Sequence, residues 1–242
     1  MNNQEIKVLD LGFVRLEDRM GGDMSVIRAA RVSYMSEKPR PPEEDEKLIA
    51  YLLKHNHGTP FEHAVFQFHV KLPIFVARQW IRHRMSSYNE TSFRYREAPE
   101  EFYIPLKWRA QEIKNKQGSV DSDALPHDEW NKKLNNHCEA SMKFYKELLE
   151  GGAAREMARM ALPTNLYTEW YWTVNARSLM HFISLRSDSH AQWETRQFSH
   201  ALASIMRESM PWTWKAFNTP LGESFIEMQR ALEQQQPVLV TP

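Results

Sequence analysis

A single cysteine, Cys138, serves the whole 242-residue chain. That excludes an intramolecular disulfide and any metal site built on several thiolates, and it suits a reducing compartment. Glycine is scarce, with eight residues, and neither G-x-G-x-x-G nor G-x-x-x-x-G-K-[ST] occurs. A dinucleotide or phosphate ligand would therefore be held without either glycine-rich loop. H-E-x-x-H is absent too, and HNH (55–57), which brings two of the ten histidines close together, has no acidic cluster beside it. No metal site is expected. No apolar run approaches the ~20 residues that span a bilayer, and MNNQEIKVLDLGFVRLEDRM has no basic start followed by an apolar core. Charge of one sign is also lacking, since Lys+Arg and Asp+Glu both number 31. No global field draws nucleic acid or an anionic membrane. The expectation is a soluble, cytoplasmic protein whose anion recognition is local.

What is present is an ordinary globular balance, 42% hydrophobic and 26% charged, which argues for a packed core. IKVLDLGFVRLEDRM reads as strand broken around Gly12, and MSVIRAARVSY as a short helix. KPRPPEED is a loop that opens a second helix, EEDEKLIAYLLKHNHG, with acids leading and Lys/His closing before Gly58, as the helix dipole prefers. In HAVFQFHVKL (63–72), Ala64, Phe66, Phe68 and Val70 share one face, the period of a strand. Pro73 then suits the first turn of a helix through IFVARQWIRHRM, and residues 86–106 read as irregular. Polar KNKQGSVDSDALPHDE (114–129) predicts a flexible insert. Beyond it Trp130, Leu134, Cys138, Met142, Tyr145 and Leu149 form the buried stripe of a long helix that stops at Gly151-Gly152. On that stripe Cys138 is a core residue, with no cationic neighbour in sequence to activate it. A short helix around AAREMARMAL, a strand LYTEWYWTV and two helices over roughly 176–210 follow. The fold expected is one α+β domain over residues 1–230, helices packed around a small, mostly antiparallel sheet, with a loose tail at 231–242.

The conspicuous feature is RQWIRHRMSSYNETSFRYR (78–96), which holds five arginines, one histidine, Glu90 and no lysine. A solvated face would mix Lys with Glu. If the helix from Pro73 runs through it, Arg78 and Arg82 share a face and repel unless an anion or acid lies between them. Arginine's planar fork binds phosphate bidentately, which a lysine ammonium cannot do. Beside Ser86, Ser87, Asn89, Thr91 and Ser92, the cluster suits a nucleotide, with phosphate on the arginines and ribose or base on the short polar groups. Arginine is equally at home in subunit interfaces, and alternation of Arg with aromatics also suits single-stranded nucleic acid. Zero net charge and the interspersed Glu90, Glu97 and Glu100 weigh against the last. A second cluster adds Arg155 and Arg159 ahead of Pro163, then Arg177, His181, Arg186 and His190 over 175–193. Each has a plainer reading as a dipole partner, a structural histidine or a helix cap.

These residues resemble a specific family, the flavin-dependent thymidylate synthases. The family signature R-H-R-x7-S reads here as Arg82-His83-Arg84, MSSYNET, Ser92. The likeness extends through NHGTPFEH, ARQWIRHR, SYNETSFRY, NLYTEWYWTVNARSLMHF and LRSDSHAQWE, nearly the whole chain. The resemblance implies methylation of deoxyuridine monophosphate at carbon 5 to thymidine monophosphate. Methylenetetrahydrofolate would be the carbon donor and FAD, reduced by NADPH, the source of reducing equivalents, in a homotetramer with active sites between subunits. Carried over by position, Gln79, Trp80, Ile81, Arg82, Glu90, Thr91, Ser92, Phe93, Arg94, Arg159 and Arg186 resemble the deoxyuridylate-binding set. Thr59, Arg82, His83, Arg84, Glu90, Asn175, Ala176, Arg177 and His181 resemble the FAD-binding set. Some members carry Asn where His181 stands; a histidine can still donate to a flavin or stack on it. His57 resembles a residue near the flavin and folate, and Arg186 the residue that activates the pyrimidine. An opposite charge at contact distance lowers a pKa by about 1–3 units, so a guanidinium can favour the pyrimidine anion and spare the need for a thiolate. Ser92 has only Glu90 as a nearby base, which favours binding over nucleophilic attack.

Overall fold

The computed structural model describes residues 5–34, 41–113 and 115–218. The tail expected at 231–242 lies outside them. The chain opens with β1 (Glu5–Val8) and β2 (Gly12–Met20), an antiparallel hairpin. A Cβ on Gly12 would stand 2.6 Å from the Val8 carbonyl and 2.8 Å from that of Lys71, so the close approach of three strands there requires glycine. Then come α1 (Asp23–Arg31), α2 (Pro42–Lys54), β3 (Val65–Pro73), α3 (Ile74–Trp80) and β4 (Ser87–Glu90). A small hairpin, β5 (Arg109–Gln111) with β6 (Ser119–Asp121), leads into α4 (His127–Glu150). The chain continues through α5 (Arg155–Ala158), β7 (Tyr167–Asn175), α6 (Ala176–Arg186), α7 (Trp193–Ser209) and α8 (Pro211–Asn218).

The main sheet is antiparallel in the order β1-β2-β3-β7-β4. Its register explains its two faces. Phe66, Phe68 and Val70 lie opposite Val174, Trp172 and Trp170, and all six are buried. The intervening Gln67, His69 and Lys71 lie opposite Thr173, Tyr171 and Glu169 on the polar face, as period-2 alternation demands. Helices cover the apolar face. Trp80 of α3, with no exposed area, wedges between Trp170 and Trp172 of the sheet and Phe182 and Phe198 of α6 and α7. The expected α+β domain with a small antiparallel sheet is what forms.

Two local expectations need correction. Pro73 ends β3 and caps α3 from outside, and α3 stops at Trp80 instead of running through Met85. Arg82 and Arg84 are therefore in a loop, and Arg78 and Arg82 do not share a helical face. The segment after them is not irregular throughout, since Ser87–Glu90 pairs with Trp170–Thr173 as the sheet's edge. Tertiary hydrogen bonding accounts for both differences. The Tyr88 hydroxyl reaches the carbonyls of His83 at 2.8 Å and Trp80 at 3.3 Å, so groups left over at the helix end are satisfied by the strand that follows. The polar stretch 114–129 includes β6 and the first turn of α4, elements that its composition does not announce. On α4, Cys138, Met142 and Tyr145 are buried, in keeping with the expected stripe. The sequence reading did not separate α8, which is pinned to α1 by Asp23. That carboxylate accepts from the Trp212 and Thr213 N–H groups at 2.9 and 3.0 Å and from the Thr213 hydroxyl at 2.6 Å.

Candidate active site

The arginine-rich segment emerges where α3, β4 and α6 meet. Asn175 caps α6, its Oδ1 accepting from the Ser178 N–H at 2.9 Å, the usual device for an orphan donor in a first helical turn. Ser178 is thereby held facing the loop. Its hydroxyl donates to the Met85 carbonyl at 2.8 Å and lies 2.7 Å from His83 Nε2. A serine has one proton to give. With that proton committed to Met85, the hydroxyl accepts from His83, so the imidazole carries its hydrogen on Nε2. Burial, reinforced by His181 and Arg186 nearby, lowers the His83 pKa below its ordinary value. His83 is therefore a neutral ring with a lone pair on Nδ1. The exposed ring of His181 stands 5.8 Å from it, centroid to centroid.

On either side of this buried histidine, Arg82 and Arg84 are exposed, and they form no hydrogen bond or ion pair within the described residues. Guanidinium groups presented this way can receive an anion without first giving up a carboxylate. Arg186, at the end of α6, is half-buried, and one of its Nη2–H groups donates to the Gln79 carbonyl at 3.3 Å. Burial lowers its pKa, against the pull of the Tyr88 phenol, but an arginine remains charged. The side chain of Gln79 is held as well, its Oε1 accepting from the Thr195 hydroxyl at 2.5 Å.

The other predicted residues form two further groups. Glu90 accepts from the Thr168 hydroxyl at 2.7 Å, and the Thr91 N–H donates to the Glu169 carbonyl at 2.8 Å. In the turn beyond, Ser92 accepts from the Tyr95 and Arg96 N–H groups through its carbonyl and from the Arg94 N–H through Oγ at 3.3 Å. Its role there is to shape the turn, and no base among the described residues bonds to it. Arg94 pairs with Glu156 at 3.1 Å, while Arg159 Nε donates to the Glu156 carbonyl at 3.4 Å, so two arginines 65 positions apart (159 − 94) meet at one residue. Arg177, in the first turn of α6, pairs with Glu62 at 2.6 Å and lies across Gly58. It thus faces the loop that carries Thr59 and His57, whose ring is 6.0 Å from Tyr51.

Some predicted residues cannot act through their side chains. Trp80 and Ala176 have no exposed area and Phe93 is 8% exposed, so only their backbones can face a ligand, whereas Ile81 is exposed. Sequence reading missed Ser178, Tyr88, Thr168, Glu62 and Thr195. Of these, only Ser178 had a local signal, the Asn-x-x-Ser spacing of a helix cap. Cys138 stands apart. Burial raises the pKa of its thiol, and the Asn165 amide donates to the sulfur at 3.3 Å. It lines a groove of about 540 Å³ along α4 with Phe102 and Met142, to which none of the residues above contributes. Among the described residues no cluster of His, Cys, Asp and Glu could hold a metal ion, and no helix is long and apolar enough to cross a membrane.

Known proteins resemble this chain over most of its length. Residues 15–212 match the family model described as thymidylate synthase complementing protein. A flavin-dependent thymidylate synthase from Thermosipho africanus is 54% identical over 218 residues, covering 88% of this chain and 93% of the relative. One from Thermus thermophilus is 51% identical over 218 residues, covering 90% and 80%. Among solved structures, a UMP/dUMP methylase, PolB from Streptomyces cacaoi, bound with 5-Br UMP, superposes with a TM-score of 0.80 at 35% identity. That alignment covers 88% of this chain and 96% of the other. The same enzyme bound with 5-Br dUMP also gives 0.80, at 34% identity over 88% and 97%.

Proposed function

The chain belongs to the flavin-dependent thymidylate synthase family, and we propose that it converts deoxyuridine monophosphate to thymidine monophosphate with methylenetetrahydrofolate as carbon donor and NADPH as reductant. The observation that carries this reading is the pair of exposed arginines, Arg82 and Arg84, without partners among the described residues. They flank a buried neutral His83 at the R-H-R-x7-S spacing. Membership of an enzyme family disfavours the alternative of a single-strand nucleic-acid binder.

The donor set fits a flavin dinucleotide. Free guanidinium groups suit its pyrophosphate, and the Asn175 amide keeps its N–H groups after spending Oδ1 on the helix cap. Thr59, Arg82, His83, Arg84, Glu90, Asn175, Arg177 and His181 would hold FAD, with Ala176 contributing backbone alone. When bound, FAD passes reducing equivalents from NADPH to the transferred carbon. The two electrons that turn a methylene into a methyl thus come from NADPH, and the folate leaves as tetrahydrofolate.

For the nucleotide, Arg94 and Arg159 converge where a phosphate could displace Glu156 from its exposed pairing, which is worth little in water. Arg82, Gln79, Glu90, Thr91 and Ser92 supply further polar contacts, joined by the backbone around Trp80, Ile81 and Phe93. Arg186 does the chemical work on the ring. Its charge favours the anionic form of the pyrimidine and thus electron density at carbon 5. The ring can then attack without a thiolate, consistent with a hidden Cys138 whose pKa is raised. His57 would border the flavin and folate. We place the complete site between subunits of a homotetramer, as the family resemblance implies.

An absorbance spectrum after incubation with FAD and desalting tests the reading. Flavin bands near ~375 and ~450 nm, properties of the cofactor itself, are expected to remain with the protein; their absence together with no binding on titration would sink it. Gly58→Ala tests the placement of Arg177. A Cβ there would lie 2.5 Å from Arg177 Nε, and φ of −76° imposes no backbone strain. The exposed arginine swings aside, so stability should stay within ~0.5 kcal/mol. FAD affinity should fall about fivefold, the scale of one weakened charge-assisted bond. Unchanged affinity in a fluorescence titration would take Arg177 out of the flavin site.

A further inference from the structure

Gln79 holds two partners at once. Its backbone carbonyl accepts from Arg186 at 3.3 Å, and its side-chain Oε1 accepts from Thr195 at 2.5 Å. A glutamine amide is ambivalent, since rotation by half a turn exchanges an acceptor oxygen for a donor NH₂. Thr195 removes that ambivalence. Its side chain has no exposed area, and its hydroxyl makes no other hydrogen bond among the described residues. If the amide turned over, Nε2 would point at the threonine oxygen and the buried hydroxyl proton would lose its acceptor, a costly loss in a dry site. With the oxygen held, the NH₂ is directed away from α7 as a donor. Next to Arg186, held to the Gln79 backbone, this makes a patch of donors only. Ser187 and Ser199, whose hydroxyl oxygens are 2.9 Å apart, tie the residue after Arg186 to α7, so the helix that carries Thr195 steadies both donors.

Resting on the function proposed above, we infer that Thr195 is a positioning residue. It fixes Gln79 as a hydrogen-bond donor to an acceptor oxygen of the bound nucleotide, on the ring or on the phosphate. Uracil offers only carbonyl oxygens as exocyclic groups on its ring, and the phosphate offers only acceptors, whereas cytosine places an amino group where uracil has O4. A donor-only Gln79 suits the first two and disfavours the third. Thr195 does not itself touch the nucleotide.

The test is equilibrium dialysis of deoxyuridine monophosphate against the FAD-loaded protein as wild type, Thr195→Val, Thr195→Ser and Gln79→Glu, with steady-state kinetics alongside. Valine keeps the shape of threonine and removes the hydroxyl. It should weaken binding and raise KM about tenfold while kcat changes less than about twofold, the pattern of lost uniform binding. Serine restores the hydroxyl and should recover most of the affinity. Glutamate at 79 still accepts from Thr195 but turns a second oxygen toward the nucleotide, and should lose about a hundredfold or more through repulsion between acceptors. Should the valine variant not fold, the serine and glutamate variants carry the comparison. The deoxycytidine monophosphate arm identifies the oxygen. A smaller preference for uracil in Thr195→Val assigns it to the ring, and an unchanged preference with weaker binding of both assigns it to the phosphate; either supports the inference. Wild-type affinity in Thr195→Val, or no recovery in Thr195→Ser, overturns it while the proposed function stands. A wild-type protein that binds FAD but no deoxyuridine monophosphate refutes the proposed function, and the inference with it.

Discussion

Arg186→Ala is expected to keep FAD and its fold yet lose thymidylate formation by about 10²–10³-fold, the scale seen when one preorganised group that stabilises developing charge is removed. The side chain is half-buried and holds one bond to the Gln79 carbonyl. Its removal therefore costs folding only on the order of 1 kcal/mol. What goes with it is a charge in a partly dehydrated setting, where its effect on a neighbouring anion exceeds that in bulk water. Arg186→Lys should recover only part of the activity, because an ammonium cannot present a planar pair of donors while also reaching the Gln79 carbonyl. The measurement is single-turnover conversion with prereduced flavin, which removes NADPH binding from the comparison. Activity of the alanine variant within tenfold of wild type would show that the pyrimidine is activated by another group. Loss of FAD together with activity would instead move Arg186 into the flavin-binding set.

Trp80→Ala should be the most destabilising single change near the site, by about 3–5 kcal/mol for a fully buried large aromatic. Trp80 has no exposed area. Its ring meets Trp170 edge-on at 5.6 Å and Trp172 at 5.0 Å, and lies 4.7 Å from Phe182 and 6.0 Å from Phe198. It therefore joins the sheet to both α6 and α7. For a chain of this size each kcal/mol lowers Tm by about 2–4 °C, so calorimetry should record a fall of roughly 6–20 °C. The loop above it rests on the same contacts, since the Trp80 carbonyl accepts from the His83 N–H at 2.9 Å. FAD affinity should fall along with stability. A fall in Tm below ~2 °C would mean that the surrounding aromatics collapse into the space, contrary to the partial relaxation usual in close-packed cores.

These two residues stand for two kinds of information. The sequence by itself determined the apolar alternation that makes β3 and β7 two-faced, the stripe that hides Cys138, the point where α4 stops, and the arginine spacing that marks the family. Such patterns are local. They report which face of an element leaves water and which residue types are available, because burial imposes the period of the element on the chain. Only the tertiary structure decided where α3 ends, that Ser87–Glu90 becomes an edge strand, which nitrogen of His83 carries the proton, and what holds Arg186 and Gln79. Those outcomes depend on one donor meeting one acceptor across the fold: Ser178 and His83 are 95 positions apart, and Thr195 and Gln79 are 116 apart. No periodicity records such pairings. A hydrogen bond is satisfied by position in space, and position is set by how the sheet register and the Trp80 contacts bring α3, α6 and α7 together.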